Sequence, residues 1–333
     1  MKVTIGIPTF NREMWIANAI ESALGQTWPN KEVIVVDDGS TDRTPEICAP
    51  YADRIAYVRQ DHSGVISTAR NHILRLATGD WIQYLDDDDY LLPNKLEVQL
   101  TSIAHQNPPP EAIFSPLLGE EWKDGSALKR WLYPTTESGE PKKIWLRAQF
   151  PQIGAFLIQR EALKTIGAWD ESMPIGEDDE LYMRMVLNNW RLHFVDTPLS
   201  VWRNWSSQSW GIRNAKGYLL NYTELIDRFQ KELVSRGEWN DSLQVFSDQG
   251  RFALARGIAN MDLPRALAYY SQSTHQKLMC HRYATSSWKV RAVYRLLGFE
   301  RAFQLVQLIR KIKPPRIPPG TLPIRDNPIA AGR

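Results

Sequence analysis

The sequence predicts an α/β protein with a doubly wound, mostly parallel sheet, followed by an all-helical C-terminal region. Three observations predict it. Strand-like and helix-like segments alternate through about the first hundred residues. The segment EVIVVDD (32–38) is almost continuously apolar, which is typical of a strand covered on both faces of a parallel sheet. From residue 214 onward, apolar residues recur at helical spacing only.

The first seven elements follow one another in β-α order. The helix at 12–27 is predicted by Ile16, Ile20, Ala23 and Leu24, which recur at helical spacing, and a later helix begins at the polar cluster before Pro45. A β-α-β-α-β-α-β order implies right-handed crossovers and helices on both faces of the sheet. The predicted segments are strand 2–8, helix 12–27, strand 32–38, a helix from about 44, strand 55–60, helix 65–77 and strand 80–87.

Beyond residue 105 the pattern loosens into loops rich in Pro, Gly and Trp. The alternation of strands and helices resumes with a strand and helix at 155–171. A helix with acidic residues in its first turn follows at 176–189, and a strand followed by a turn at 191–203. The predicted organisation is a catalytic domain at 1–212, with halves at about 1–105 and 106–212, a helical region at 213–313, and an irregular tail at 314–333.

The composition limits the class of protein. The 333 residues carry 40 Lys+Arg against 38 Asp+Glu, a net charge of +2, so no nucleic-acid partner is expected. A hydrophobic fraction of 43% supports a packed core. Two cysteines form no disulfide framework, and neither a signal peptide nor a membrane-spanning run is recognised, so a cytoplasmic location is expected.

Two acidic clusters follow predicted strands. Asp37 and Asp38 end the second strand, and the run 86–89 consists of four aspartates. Ligands of doubly wound sheets bind beyond the carboxyl ends of the strands. Because adjacent carboxylates repel one another, the run favours a site for a cation and phosphate over a solvated loop. Phosphoacceptor receiver domains also carry an acidic pair after a strand, but there it ends the first strand.

Five motifs in order resemble the inverting family-2 glycosyltransferases with the GT-A fold. The resemblance spans about residues 1–205 and leaves the helical C-terminal third outside it. It is specific because the motifs are linked at matching spacings. They are IGIPTFNRE (5–13), SALGQTWPNKEVIVVDDGSTDRT (22–44), ARN (69–71), GDWIQYLDDDDYLLPNKLE (79–97) and GEDDELYMR (176–184).

The resemblance implies a donor site with a divalent cation, Mn²⁺ or Mg²⁺, which oxygen ligands suit. Asp88 is the expected metal ligand, and Asp89 is expected to cap the following turn. Helix capping remains an alternative for Asp38, and a surface position remains an alternative for Arg70. The residues implied to bind the nucleotide sugar are Thr9, Asn11, Arg12, Asp38, Arg70, Asp86 and Asp87.

The resemblance also implies that Asp178 is the catalytic base that takes a proton from the acceptor hydroxyl. Glu177 or Asp179 takes that role if the register differs by one. Acidic residues at a helix start are also favourable in themselves. The segment after the next strand lacks the Arg-x-His of many relatives, so it is not expected to supply a second metal ligand. Trp202, Arg203 and Trp205 are instead expected to line the acceptor or to close over the diphosphate.

The function implied is transfer of a sugar from a nucleotide-sugar donor, a UDP-sugar being favoured, to a hydroxyl of a glycan, lipid-linked or protein acceptor. Surface polysaccharide or glycoconjugate biosynthesis is the expected setting. A sugar-nucleotide pyrophosphorylase is the alternative enzyme, although PTFNREMW (8–15) lacks the glycine-rich basic loop that it needs. A catalytically inactive binding scaffold is the third reading, and the presence of Asp88 and Asp178 argues against it.

One basic segment lies outside the resemblance. Residues 282–316 contain nine Lys+Arg and one acidic residue, Glu300, with apolar positions near helical spacing and a break expected at Gly298. One interpretation is a helix packed on the catalytic domain with a solvated basic face. The other is a helix pair on an anionic membrane surface, which would place the protein at the inner face of the cell membrane.

Overall fold

A computed structural model describes residues 1–123, 126–133, 139–204, 214–274, 288–312 and 321–322. The chain divides into two compact units. The first unit comprises Met1–Ser138, Phe150–Ser209 and Gly320–Arg333, and the helical unit comprises Gly139–Gln149 and Trp210–Pro319.

Strands dominate the first unit and helices the second. The strands are β1 (Val3–Thr9), β2 (Lys31–Asp37), β3 (Ala56–Arg59), β4 (Trp81–Tyr84), β5 (Tyr90–Leu91), β6 (Ala112–Phe114), β7 (Leu118–Lys123), β8 (Ser126–Leu132), β9 (Phe156–Gln159), β10 (Leu192–Phe194), β11 (Ser200–Asn204) and β12 (Thr321–Leu322). The α-helices are α1 (Ile16–Leu24), α2 (Thr44–Cys48), α3 (Ile66–Leu76), α4 (Lys95–Ser102), α5 (Pro141–Leu146), α6 (Arg160–Thr165), α7 (Glu177–Leu187), α8 (Ala215–Ser235), α9 (Asp241–Ile258), α10 (Leu263–Ser271) and α11 (Trp288–Ile312).

The main sheet has seven strands in the order β10-β6-β9-β4-β1-β2-β3. β1 lies between β2 and β4 and pairs with both in parallel, whereas β9 runs antiparallel to β4 and β6. Every residue of β1 is buried, as expected for a central strand with helices on both faces. The predicted mostly parallel α/β sheet is thereby confirmed.

A second sheet has the order β12-β8-β7-β11-β5, and its strands β7 and β8 lie in the region predicted as loops, so that prediction was wrong. Its strands β7 (LGEEWK) and β8 (SALKRWL) lack the apolar alternation of an amphipathic strand. These strands can carry charged residues inside the protein because the charges have partners. Glu120, on β7, is buried and accepts hydrogen bonds from Tyr90 Oη and Arg130. The predicted single strand at 191–203 is two strands in different sheets, β10 and β11.

The helical unit confirms the helices predicted after residue 214. Asp262 caps α10 by accepting a hydrogen bond from the Arg265 amide, and α11 is interrupted at Gly298, where φ is 73°. None of the described helices combines the length and the apolar run needed to cross a bilayer. The segment before α11, at 275–287, lies outside the described residues, as does most of the predicted irregular tail, of which β12 is described.

The helical unit also includes a segment that the sequence placed in the acceptor half of the catalytic domain. Residues 139–149, with α5, group with the helical unit. Trp145 is fully buried there, with its ring 5.6 Å from that of Tyr222 and 4.4 Å from that of Phe229. Local sequence patterns do not predict this burial, because the partners of Trp145 come from α8, more than seventy residues later.

Candidate active site

The aspartate run joins the two sheets of the first unit. β4 ends at Tyr84 in the main sheet, and β5 begins at Tyr90 in the second sheet. The four aspartates between them therefore lie at the carboxyl end of β4, beside the end of the central strand β1. This is the edge at which a doubly wound sheet binds its ligands.

Arg70, on α3, gathers the two acidic motifs. Its Nη1 donates to Asp178 Oδ1 at 2.8 Å and to Glu177 Oε1 at 3.1 Å, and its Nη2 donates to Asp86 Oδ1 at 2.9 Å. Its side chain is 1% exposed, which rules out a generic surface arginine. Burial alone would lower the pKa of Arg70, but Asp178, Asp86 and Glu177 raise it above its usual value, so the guanidinium stays charged.

Asp178 lies at the start of α7, where Gly176 precedes the helix with φ 77°. Burial raises the pKa of Asp178 to about 8, and the charge of Arg70 opposes that rise. A carboxylate with a pKa near neutrality is suited to accept a proton from a hydroxyl. Of the three candidate bases, Glu177 and Asp178 are ion-paired with Arg70, and Asp178 Oδ2 also accepts the Ile153 amide at 3.4 Å.

The first two aspartates of the run are held by cations and amides. Asp86 Oδ2 accepts a hydrogen bond from Gln152 Nε2 at 2.5 Å in addition to the Arg70 contact. Asp87 Oδ1 accepts from Arg12 Nε at 3.0 Å. Burial nevertheless raises the pKa of Asp87 to about 7, because one guanidinium does not offset the buried charge and that of Asp88.

Asp88 differs from its neighbours. It is half-buried, and burial together with the charge of Asp86 raises its pKa, against the opposing charges of Arg12 and Arg203. No other residue of the described ranges donates a hydrogen bond to its carboxylate. The described residues contain no group of three or more His, Cys, Asp or Glu side chains arranged to hold a metal ion. A cation here would therefore take most of its ligands from a bound phosphate or water, as Mg²⁺ commonly does.

Asp89 corrects an expectation. It does not cap the following turn: its Oδ1 accepts the backbone amide of Arg203 at 2.8 Å, and the residue is buried. The pairing of β5 with β11 brings that amide over the aspartate, which no local pattern can foretell. Burial raises the pKa of Asp89 well above its usual value.

Asp38 and Asn11 bind neighbouring loops of their own chain. The Asp38 carboxylate accepts hydrogen bonds from Gln60 Nε2 at 2.6 Å and from the Ser63 amide at 3.1 Å. The helix-capping alternative for Asp38 is therefore wrong, because these donors come from the loop that follows β3. Asn11, with φ 52°, accepts the Thr41 amide at 2.7 Å through Oδ1. Thr9 is buried at the end of β1, and the nucleotide-binding roles of Thr9, Asn11 and Asp38 stay predictions.

Trp202 and Arg203 lie on opposite faces of β11. Arg203 is buried, with its guanidinium carbon 4.8 Å from the ring centre of Tyr90 and 5.2 Å from that of Trp122, and burial lowers its pKa. Trp202 makes an edge contact with Trp131 at 6.4 Å on the other face. The two therefore do not line one surface, and their predicted roles stay predictions. Trp205 is outside the described residues.

Sequence reasoning missed two residues that touch this cluster. Gln152 reaches Asp86, and Trp169 lies under Arg70 with the guanidinium carbon 4.4 Å from its ring centre. Neither belongs to a charged motif. The only signal near Trp169 is Gly167 in GAWDE, within the segment 155–171 that is predicted as a strand and helix.

The comparisons agree with this fold and with these motifs. The family described as Glycosyl transferase family 2 matches residues 4–167, a range that ends before α7. The chain is 29% identical over 190 residues to an uncharacterized glycosyltransferase of Rickettsia typhi, covering 55% of this chain and 58% of that protein. It is 27% identical over 238 residues to the minor teichoic acid biosynthesis protein GgaB of Bacillus subtilis, covering 68% of this chain and 26% of the relative.

Solved structures extend the likeness to the helical region. S. aureus TarS 1-349 in complex with UDP-GlcNAc superposes with a TM-score of 0.60 at 16% identity, covering 94% of this chain and 92% of that chain. The same protein without that ligand gives 0.60 at 17% identity, covering 95% and 93%. At these identities the likeness shows a shared fold. The chain spans 58% of the length of the first two Rickettsia relatives, so the activity of a whole relative does not transfer directly.

Proposed function

Because residues 4–167 belong to glycosyl transferase family 2 and the domain has the GT-A fold, we propose that this protein is an inverting, metal-dependent glycosyltransferase. Its donor would be a nucleotide sugar and its acceptor a hydroxyl of a glycan, lipid-linked or protein substrate.

The observation that carries the proposal is the convergence on Arg70. Asp86 and Asp178 are more than ninety residues apart in the chain, yet both accept hydrogen bonds from this one buried guanidinium. An acidic surface loop would not need a buried counterion shared with a second acidic motif. A site that handles a diphosphate next to a proton acceptor does need both charges together.

In the proposed reaction the acceptor oxygen forms a bond to C1 of the donor sugar as the bond from C1 to the diphosphate oxygen breaks. The electron pair of the breaking bond leaves with the nucleoside diphosphate. The hydroxyl proton passes to the Asp178 carboxylate, which Arg70 holds in place at 2.8 Å. Attack from the side opposite the leaving group inverts the configuration at C1.

The residues present fit a divalent cation. Asp88 offers carboxylate oxygens that no other described residue engages through a hydrogen bond, and Asp86 lies two residues before it. Oxygen ligands of this kind suit Mn²⁺ or Mg²⁺. When bound, the cation would act as a Lewis acid on the diphosphate leaving group. Arg12, whose side chain is 36% exposed, would orient the donor beside it.

A UDP-sugar is the favoured donor. A solved structure of the same fold, TarS, holds UDP-GlcNAc, and GgaB is described as a teichoic acid biosynthesis protein. These likenesses support a cell-surface polymer as the acceptor class.

Asp178→Asn tests the proposal because it keeps the shape of the side chain and removes its basicity. We expect the turnover of UDP-GlcNAc with Mn²⁺ to fall by about 10²- to 10⁴-fold. The rate of UDP release measures this turnover. UDP affinity should change little in calorimetry. The matched control is Glu177→Gln, which should lose less activity.

Three results would contradict the assignment. Full turnover in Asp178→Asn with an inactive Glu177→Gln would move the base one residue back. Retention of anomeric configuration in the product, read by NMR, would refute a single displacement. Mn²⁺-independent nucleotide binding without turnover of any UDP-, GDP-, CMP- or dTDP-sugar would favour the scaffold alternative.

We further propose that α11 attaches the protein to an anionic membrane surface, at the inner face of the cell membrane. Phe299, Ala302, Phe303 and Val306 form its buried face at helical spacing. Leu296, which is 82% exposed, and Leu308, which is 56% exposed, face solvent in a segment of strongly positive charge. Exposed leucines and basic residues together favour an interfacial helix.

Sedimentation with liposomes tests this attachment. Wild-type protein should bind vesicles containing an anionic phospholipid at low salt and should dissociate as salt rises. Leu308→Glu should weaken binding, whereas Leu128→Glu, at a leucine of equal 56% exposure in β8, should not. Failure of wild-type protein to bind at low salt would leave α11 as a packing element.

A further inference from the structure

The buried guanidinium of Arg70 rests on an aromatic floor. Its Nη atoms donate to the three carboxylates, while its guanidinium carbon lies over the indole of Trp169, 4.4 Å from the ring centre. Trp169 is 2% exposed, so it does not itself line an open surface. The stacking fixes the plane of the guanidinium in the one direction that its hydrogen bonds leave unconstrained.

Trp169 is held by the residue next to Arg70 in the chain. Asn71 Nδ2 donates to the carbonyl oxygen of Trp169 at 2.9 Å, and the Trp169 amide donates to Asn71 Oδ1 at 3.0 Å. Tyr84 packs its ring edge-on against the indole at 5.2 Å and donates its hydroxyl to the Arg70 carbonyl at 3.1 Å. The ARN motif and the tryptophan thus form one rigid body.

The backbone that delivers Trp169 is strained. Gly167 has φ 93° and Ala168 has φ 56°, so two successive residues adopt the left-handed region. Glycine does so freely, but for alanine that conformation is unfavourable, because its Cβ lies too close to the following carbonyl oxygen. Strain of this kind persists where surrounding contacts over-determine it, and it clusters near functional sites.

From these contacts we infer that Trp169 is a positioning residue for the reaction: its indole, clamped by Asn71, sets the orientation of Arg70 and thereby of Asp178. This inference rests on the proposed function for its kinetic consequence. Trp169 touches neither the donor nor the reacting atoms. It acts through Arg70, whose 2.8 Å contact fixes the carboxylate proposed as the base.

The competing reading is that Trp169 only fills the core, and a matched substitution separates the two. Trp81, in β4, is also a tryptophan with 2% exposure, and it packs in the hydrophobic core. Both Trp169→Leu and Trp81→Leu should lower thermal stability. Only the Trp169 substitution should alter the reaction of the folded enzyme.

The kinetic measurement is UDP release from UDP-GlcNAc with Mn²⁺, corrected for the folded fraction. In Trp169→Leu we expect kcat to fall on the order of 10- to 100-fold with little change in KM, because displacement of a reacting group by about 1 Å can cost that much. Trp169→Phe, which retains an aromatic face, should recover most of kcat. Equal kcat in Trp169→Leu, Trp81→Leu and wild type would overturn the inference.

A second measurement does not depend on the proposed activity. In a crystal structure of Trp169→Leu, the Arg70 guanidinium should turn and lose its contact with Asp178, whereas in Trp169→Phe it should stay. If Trp169→Leu does not fold, Asn71→Ala provides the same test by freeing the backbone of Trp169. An unmoved Arg70 in the variant that folds overturns the inference, and absence of turnover in wild type instead counts against the proposed function.

Discussion

Two acidic clusters follow β2 and β4, the strands on either side of the central strand β1, and their carboxylates differ in how fully they are hydrogen-bonded. Asp37 and Asp38, after β2, accept hydrogen bonds from the Ser40 and Ser63 amides at 2.8 and 3.1 Å. The run 86–89, after β4, has its pKa values raised at Asp87, Asp88 and Asp89. The first cluster is saturated by donors of its own chain, while the second carries negative charge in excess.

The difference teaches that an acidic motif at a strand end has two uses. A saturated carboxylate holds loops in place, because several backbone amides converge on it. A carboxylate with too few partners is unfavourable in the free protein and favours binding of a cation. The sequence patterns VVDDGS and YLDDDD do not show which cluster is saturated with hydrogen-bond donors, because the donors to Asp38 come from residues 60–64.

The largest expected effect comes from removing the excess charge. Asp88→Asn should weaken Mn²⁺-dependent UDP binding by about 100-fold or more. Mutation of a residue that only hydrogen-bonds to a metal ligand already lowers metal affinity by about 10- to 100-fold. Thermal stability without Mn²⁺ should stay the same or rise, because repulsion within the run is relieved. Calorimetry with and without Mn²⁺ measures the first effect. Unchanged Mn²⁺-dependent affinity would remove Asp88 from the metal site.

A smaller effect is expected in the saturated cluster. Asp38→Ala should lower the free energy of unfolding by roughly 1–3 kcal/mol, because the Ser63 and Gly64 amides lose their acceptor. Urea unfolding, with UDP and Mn²⁺ absent, measures it. If Asp38→Ala costs no more stability than Asp88→Asn, the two clusters do not differ in the way described.

The smallest effect concerns pH. Burial raises the pKa of Asp87 to about 7 and that of Asp178 to about 8, above the unfolded value of roughly 4. Between these values the folded protein holds protons that the unfolded chain releases. Stability of the free protein should therefore fall as pH rises from about 4 to about 8.

Unfolding midpoints measured at pH 5, 6, 7 and 8 would show this decline. It should be shallower in Asp87→Asn, because that variant lacks one of the carboxyl groups that hold a proton in the folded state. Saturating Mn²⁺ should oppose the decline most strongly at the upper end. A wild-type midpoint that rises from pH 5 to 8 would contradict the excess of charge at the run.

Much of the fold could be predicted from local patterns. The strands β1 to β4 and the helices α1 and α3 show the spacing of apolar residues that burial against a sheet requires. Their order, and the location of the site at the carboxyl ends of the strands, therefore follow from the sequence. The second sheet could not be predicted from local patterns. A glutamate such as Glu120 is expected at the surface, and only the structure shows that Tyr90 and Arg130 donate hydrogen bonds to it in the interior. Charged strands of this kind depend on partners distant in the chain.

The candidate site divides in the same way. That Asp86 and Asp178 belong to one site was implied by the resemblance to the family-2 glycosyltransferases, and their shared contact with Arg70 is seen only in the structure. The role of Asp89 did not follow, because its partner is an amide on β11. Trp169 and Gln152 carry no charge pattern, and only the packing around Arg70 and Asp86 identifies them.

The assignment of residues 139–149 to the helical unit has a consequence for protein engineering. That unit is made of two separate stretches of chain, so no single cut can release it whole or leave the first unit free of it. A chain ending before α8 would retain α5, but Trp145 would lose its contacts with the rings of Tyr222 and Phe229. It would also lose the hydrogen bond that the Tyr222 hydroxyl donates to the Trp145 carbonyl at 2.7 Å. The exposed indole would promote aggregation. A minimal fragment of the first unit therefore has to replace residues 139–149 with a short polar linker, and a hybrid protein that exchanges the helices has to exchange this segment with them.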